Sequence, residues 1–333
     1  MIRWGILGAA RIAAAVVPAI QASERCEVVA IASRSAERAA AFAERWDIPI
    51  THSDYAQLLA DDRVDVVYNP LPNHLHAEWT VRATEAGKHV LCEKPIALTL
   101  VDVDTIAATA KRAGRIVAEA FMYRHHLRTA EVRRLISGGE IGPLRSMHSA
   151  FSFSSDLDGN YRLDPSMGGG SLWDVGCYPI SFARFVMGTE PHTAFGVARS
   201  GLSGVDLGFA GTLVFDSNVV LQFDVAFDAP RRISMAFVGS DGWIELPEAF
   251  KPSERSKIIV HRNDGTSRTI KLRSPGLYRG EVENLADAIL GIRVPEIDLH
   301  ESRGNVAAIL ALYRSADQER PIHLDELGGQ SSS

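Results

Sequence analysis

Cysteine is scarce. Cys26, Cys92 and Cys177 are the only three among 333 residues, they lie far apart, and no two form a Cys-x-x-Cys pair. An odd, sparse set excludes a disulfide scaffold and suits reduced thiols in a cytosol-like compartment. Long apolar runs are absent too: none reaches the roughly 18–20 residues of a membrane span. Met1-Ile2-Arg3-Trp4-Gly5-Ile6-Leu7-Gly8 lacks the charged-then-apolar pattern of a secretory signal, so the expected location is cytoplasmic. Positive charge is not in excess. With 35 Lys+Arg against 41 Asp+Glu, the net charge of −6 excludes an overall basic bias toward nucleic acid or an anionic membrane. Glycine (27) and proline (15) are modest and 46% of side chains are hydrophobic, which excludes a disordered or low-complexity chain.

What is present is alternation. Val- and Ile-rich runs at 2–7, 27–32, 64–68, 89–92 and 115–118 predict strands. Stretches dominated by Ala, Glu and Arg at 11–22, 36–46, 74–86 and 101–113 predict helices between them. Near-continuous apolar strands separated by helices indicate a parallel sheet covered on both faces, a doubly wound α/β domain of the Rossmann type. Pro18 breaks the local pattern and is expected to kink or shorten the first helix. After Glu119 the character changes. Strand-like runs at 144–153, 192–199, 208–215, 219–227, 233–238 and 257–261 follow one another, several separated by hairpin signals such as Ser240-Asp241-Gly242 and Asn263-Asp264-Gly265. They predict a large, mainly antiparallel open sheet, with helices at 171–187, 278–290 and 301–315 on one face. A chain of this length exceeds the roughly 250–300 residues one core carries. The division expected is a dinucleotide-binding domain over 1–121 and an α+β substrate and oligomerisation domain over 122–328, with a frayed tail beyond.

The first strand leads into Gly8-Ala9-Ala10-Arg11-Ile12-Ala13. A dinucleotide fingerprint is G-x-G-x-x-G/A between a strand and a helix. Gly8 suits the tight turn and Ala13 suits close helix packing, while Ala10 replaces the middle glycine and narrows the approach of a pyrophosphate. The free N–H groups of the helix N-terminus suit phosphate. Where an NAD site places Asp or Glu after the second strand, this chain has Ser33 and Arg34, with Arg38 one helical turn later. A hydroxyl and two guanidiniums suit a 2′-phosphate, so the cofactor expected is NADP(H).

The run Cys92-Glu93-Lys94-Pro95 ends a strand at the carboxyl edge of the sheet, where ligands of doubly wound folds sit. This places Lys94 near a nicotinamide. Farther on, Gly168-Gly169-Gly170 precedes a helical segment on which Asp174 and Tyr178, four apart, share one face. The triple glycine suggests a backbone that a ligand approaches closely. A phenol has a reference pKa of about 10, and a nearby ammonium lowers it by stabilising the phenolate. Lysine, tyrosine and aspartate thus form a proton-transfer set.

These motifs, together with Pro70-Leu71-Pro72-Asn73-His74-Leu75-His76, resemble those of the Gfo/Idh/MocA oxidoreductases over nearly the whole chain. Within that family the resemblance is to the NADP-dependent xylose dehydrogenase and dimeric dihydrodiol dehydrogenase branch, and deoxysugar 3-ketoreductases are also similar. The resemblance implies Lys94 as the catalytic lysine, Tyr178 as general acid/base, and Asp174 as holding a sugar hydroxyl or orienting the pair. It implies that Gly8, Ala9, Ala10, Arg11 and Ile12 hold the dinucleotide, and that Glu93, Pro70, Leu71, Asn73 and His74 flank nicotinamide and ribose. Arg124, Arg162 and Trp173 match positions lining the cofactor or substrate pocket. The polar stretch 151–166, with Asp156, Asp158, Asn160, Tyr161 and Arg162, is expected to shape that pocket.

The function expected is hydride transfer between nicotinamide and a hydroxyl or carbonyl carbon of a sugar or cyclic diol. The alternatives are reduction of a nucleotide-linked deoxysugar ketone, or dinucleotide sensing without turnover. The residue patterns give no metal site: His74 and His76 are two apart, His125 and His126 are adjacent, and no HExxH is present. A homo-oligomer is expected, because a sheet with helices on one face leaves its other face in need of cover. Nucleic-acid and membrane partners are not expected.

Overall fold

The runs read as strands pair as they do because their apolar residues are continuous and need cover on both faces. The computed structural model describes residues 1–154 and 159–327; Asp156, Asp158 and the tail from Gly328 lie outside them. In chain order the elements begin β1 (Ile2–Leu7), α1 (Ala13–Gln21), β2 (Cys26–Ala32), α2 (Ala36–Trp46), β3 (Ile50–His52) and α3 (Tyr55–Leu59). They continue with β4 (Val66–Asn69), α4 (Asn73–Glu85), β5 (His89–Glu93), α5 (Leu100–Ala113) and β6 (Val117–Ala120). Then come α6 (Leu127–Ser137), β7 (Leu144–Ser154), α7 (Cys177–Met187), β8 (Thr193–Ser200), β9 (Asp206–Val214), β10 (Val220–Ala226) and β11 (Asp228–Gly239). The last are β12 (Gly242–Pro247), β13 (Arg255–Arg262), β14 (Ser267–Arg273), α8 (Arg279–Ile289), α9 (Leu299–Gln318) and β15 (Ile322–His323).

The chain separates into two compact units: Met1–His125 with Tyr278–Arg303, and His126–Leu277 with the residues from Gly304 on. In the first, six parallel strands take the order β3-β2-β1-β4-β5-β6. The order reverses between β1 and β4, and in such sheets ligands bind beyond the carboxyl ends of strands at that reversal. Gly8 follows β1 there and Pro70 follows β4. Pro18 does not end α1. The helix runs through it, shorter than expected, with Pro18 exposed and the Ala14 carbonyl deprived of its helical donor.

The second unit holds a nine-stranded sheet ordered β14-β13-β12-β11-β7-β10-β9-β8-β15. It is antiparallel except where β7 and β10 run parallel as neighbours. α6 and α7 cover one face. One helix departs from expectation: α8 belongs to the first unit, not to the second sheet. Its Val282, Leu285 and Ala286 are buried among Val16, Val17 and Ile20 of α1 and Ile2 and Trp4 of β1. Arg25 fixes it by pairing with Glu283 and, at 2.5 Å, with Asp287. An apolar helical stripe fits either sheet, and these charges select one.

Candidate active site

In the first unit the turn after β1 is built around Gly8, whose φ of +85° is a left-handed conformation that favours glycine. A Cβ there would meet Leu71 Cδ2 at 3.2 Å, so the β1 and β4 loops approach each other closely at this point. Ala9 and Ala10 continue the turn half-buried, and Ile12 is the residue just before α1. The Arg38 guanidinium reaches across and donates to the Ala9 carbonyl at 3.1 Å. Ser35 caps α2 by accepting from the Arg38 N–H, and the buried Ser33 hydroxyl accepts from the Ser35 N–H. Arg11 and Arg34 are exposed and make no ion pair among the described residues. The nearest acid in sequence, Glu37, takes the Ser35 hydroxyl at 2.7 Å. Three guanidiniums around a positive-φ turn, with no carboxylate at the end of β2, fit a dinucleotide bearing an extra phosphate.

The Lys94 loop is braced from several sides. The Lys94–Pro95 peptide is cis. Glu119, buried in β6, accepts from the Ile96 N–H at 2.9 Å. His76 on α4 lies with Nδ1 2.7 Å from the Pro95 carbonyl and Nε2 2.5 Å from the Leu71 carbonyl. A neutral imidazole has one N–H and donates to one of the two at a time. Burial holds its pKa down to about 4, with Lys94 and His74 lowering it further. Pro70, Leu71 and Asn73 are buried and His74 is exposed on the first turn of α4. Glu93 accepts the Tyr68 hydroxyl at 2.6 Å. Glu281 of α8 is 2% exposed, and its carboxyl oxygens have no hydrogen-bond partner among the described residues. Burial first, then the Glu93 charge, push its pKa well up, which favours the neutral acid. Burial and the same two acids also raise the Tyr278 phenol, and Lys94 opposes the shift. Arg124 is buried and bound to Glu301 at 2.8 Å.

In the second unit the segment before α7 forms a π-turn over Leu172–Gly176, a feature frequent at functional sites. Asp174 and Tyr178 are both buried. Asp174 accepts from Arg162 Nε at 2.7 Å, and the Arg162 guanidinium lies 4.9 Å from the Tyr161 ring centre. Burial would lower the Arg162 pKa, but Asp174, Tyr161 and Tyr178 outweigh it and raise it. Tyr178 packs against Phe151 and Phe250, with ring centres 5.4 and 5.5 Å away. Trp173 packs on Tyr313 at 5.8 Å. The glycines serve the protein itself. A Cβ on Gly169 would lie 2.5 Å from the Arg162 carbonyl, and one on Gly170, with φ +120°, would lie 2.2 Å from Asp206 Oδ1.

Five residues were given no role in the site by the sequence reading. His76, Glu281, Tyr68 and Tyr278 surround the Lys94 loop. Asp206 holds the glycine turn by accepting from the Ser171 hydroxyl, the Leu172 N–H and the Tyr313 hydroxyl at 2.7–2.8 Å. His76 carried a usable signal: it lies three residues after Asn73, on the same helical face. Among the described residues no His, Cys, Asp or Glu cluster could hold a metal, and no helix is long and apolar enough to cross a membrane.

A family model described as the oxidoreductase family with an NAD-binding Rossmann fold matches residues 2–121, and one described as the GFO/IDH/MocA C-terminal domain matches residues 129–245. The chain is 38% identical over 326 residues to D-xylose 1-dehydrogenase (NADP(+)) 2 of Haloferax volcanii, covering 97% of this chain and 99% of that one. It is 29% identical to trans-1,2-dihydrobenzene-1,2-diol dehydrogenase of Xenopus tropicalis, covering 74% and 75%. A crystal structure of a 3-ketoreductase from Actinomadura kijaniata, in complex with NADP and TDP-benzene, superposes with a TM-score of 0.90 at 31% identity, covering 94% and 97%.

Proposed function

The chain belongs to the Gfo/Idh/MocA oxidoreductase family, and from that premise we propose that it is an NADP(H)-dependent dehydrogenase acting on a hydroxyl-bearing carbon of a sugar or cyclic diol. The observation supporting this most directly is the pairing of the buried Asp174 with the half-buried Arg162, whose guanidinium also feels the Tyr178 phenol. A carboxylate and a guanidinium suit hydrogen bonds to neighbouring hydroxyls, and a phenol suits proton transfer.

In this reading the first unit supplies most of the residues for the dinucleotide and the second most of those for the substrate. The Gly8–Ile12 turn takes the pyrophosphate, and Ser33, Arg34 and Arg38 take the 2′-phosphate. Pro70, Leu71, Asn73, His74 and Glu93 flank ribose and nicotinamide; Arg162 and Trp173 are further residues assigned to the cofactor. When bound, the nicotinamide supplies a hydride acceptor or donor at its C4. Tyr178 removes the substrate hydroxyl proton onto its Oη during oxidation and returns it to the carbonyl-derived oxygen during reduction. Lys94 is assigned the orientation of the substrate. Arg124 and Tyr161 contribute to the substrate pocket.

Absorbance at the nicotinamide band tests this, with NADP⁺ and NAD⁺ offered separately against aldoses, inositols and trans-cyclic diols. Turnover is expected with NADP⁺. Tyr178→Phe is expected to lower it at least about 10²-fold with little change in NADPH binding. Near-normal turnover in that variant overturns the assignment. The likeness to the 3-ketoreductase supports a second reading, reduction of a nucleotide-linked sugar ketone. Silence across the panel with NADPH still bound favours it.

We further propose a homo-oligomer through the β8 end of the open face of the nine-stranded sheet, where Phe195 and Val197 are 41% and 57% exposed, at the far end of the strand order from β13 and β14. A cytoplasmic location agrees with three free, buried thiols. Sedimentation of a monomer at micromolar concentration contradicts the oligomer.

A further inference from the structure

The hairpin at one edge of the nine-stranded sheet holds charge that the dehydrogenase chemistry leaves unused. Lys257 of β13 stands directly opposite Lys271 of β14, and Arg255 opposite Arg273. Side chains alternate across a strand, so all four leave on one face, the face opposite to Ile258 and Ile270. Pairing carries the other face from Phe151 through Ile233, Met235, Leu246, Ile244 and Val260 to Ile258. The four cations therefore lie away from the aromatic surroundings of Tyr178.

Like charges directly opposite each other weaken a sheet. None of these four makes an ion pair among the described residues. Other arginines of the same unit are paired: Arg199 with Asp228, Arg231 with Glu248, and Arg262 and Arg268 with Glu140. The four line a cavity of about 550 Å³ together with Arg128 and Glu248. Arg128 is buried there and donates to the carbonyls of Pro247, Glu248 and Ala249 at 2.7–2.8 Å. Burial lowers its pKa to about 10, which leaves it charged at neutral pH. Glu248 is already engaged by Arg231. Ligand cavities commonly span roughly 300–1,000 Å³, and this one is lined by four cations without ion pairs against one committed carboxylate, while the Arg128 donors are already spent on backbone carbonyls.

We propose that this cavity binds a small phosphate-bearing anion of two or more charges, of the diphosphate class, at a site separate from that of Tyr178. Such an anion neutralises both opposed pairs at once, through charge-assisted bonds from the Arg and Lys donors. A second copy of the chain is a poorer counterion. The strand carboxylates on the open face, Asp224 and Glu245, are already paired with Arg232 and His261.

Calorimetric titration with inorganic pyrophosphate tests the site, using protein saturated with NADP⁺ so that the dinucleotide site is filled. One pyrophosphate per chain is expected, weakened at least about 10-fold by Lys257→Glu with Lys271→Glu. Lys271→Glu alone places a carboxylate opposite Lys257. It is expected to raise the melting temperature without ligand while abolishing the further rise that pyrophosphate gives the wild type. The proposal is overturned if the wild type does not bind pyrophosphate, or if Lys271→Glu binds it equally well. It is also overturned if the double variant shifts the sedimentation coefficient while the wild type ignores pyrophosphate, which would make the cations part of a subunit contact.

Discussion

Two glycine turns, one in each unit, read alike in the sequence and differ in the structure. Around Gly8 the backbone takes a positive φ beside guanidiniums that make no ion pair among the described residues, and the atom nearest to where a Cβ would stand is a leucine methyl. At Gly169 and Gly170 the space a side chain would need is filled by the Arg162 carbonyl and the Asp206 carboxylate. A glycine reports that something approaches the backbone closely. Whether a ligand or the protein makes that approach is decided by residues distant in sequence, here Asp206 and Tyr313.

The comparison is broken most sharply by adding a methyl group to each turn. Gly170→Ala meets both a forbidden φ and a carboxylate, and is expected to cost about 4 kcal/mol or more, seen as a large fall in melting temperature or loss of soluble protein. Gly8→Ala meets a movable leucine methyl and is expected to cost only about 1–2 kcal/mol. Equal losses in thermal denaturation would show that the turns do not differ as described.

Acid should separate the turns next. His76 braces the first-unit loops and has a folded pKa of about 4 against an ordinary value near 6.5. The unfolded chain therefore binds the proton more readily. This stability is present above pH 6.5 and lost as pH falls toward 4, to the order of 3 kcal/mol. Asp206 has the opposite sign: burial raises its pKa, so acid does not remove its contribution. Hydrogen exchange at pH 7 and pH 4.5, corrected for intrinsic rates, should show lost protection in α4 and retained protection at Leu172 and Asp174. Loss at both would remove His76 from this role.

The smallest effect expected concerns cofactor choice. Arg38→Ala should weaken NADP⁺ binding about 10-fold, near 1.4 kcal/mol, and leave NAD⁺ binding unchanged. Fluorescence titration with both dinucleotides measures it. Equal weakening of both would place Arg38 on the shared pyrophosphate.

Where the pattern was strong and the element ordinary, the sequence was legible: β1 and α2 occupy the residues their composition indicated. β3 and α3, with three and five residues, are too short for any period to show. β14 reads Ser-Arg-Thr-Ile-Lys-Leu-Arg, and as an exposed edge strand it has little apolar alternation to detect. Of the proposed site, Lys94, Asp174 and Tyr178 could be named from the sequence because their motifs are local. The π-turn beneath Asp174 could not, since its residues suit an α-helix equally well. Nor could Glu281, a carboxylate in a helix whose neighbour in space is far away in sequence.

The late return of α8 to the first unit bears on how the polypeptide is made. A nascent chain that has emerged as far as His125 holds all six parallel strands, yet Val16, Val17 and Ile20 lack their cover until Tyr278–Ile289 leaves the ribosome. About 150 residues separate the two events, which at ~5–20 residues per second is roughly 10–30 s of exposed apolar surface during translation. The first half to be synthesised is thus the half that waits, and an N-terminal fragment ending near His125 reproduces that unfinished state permanently.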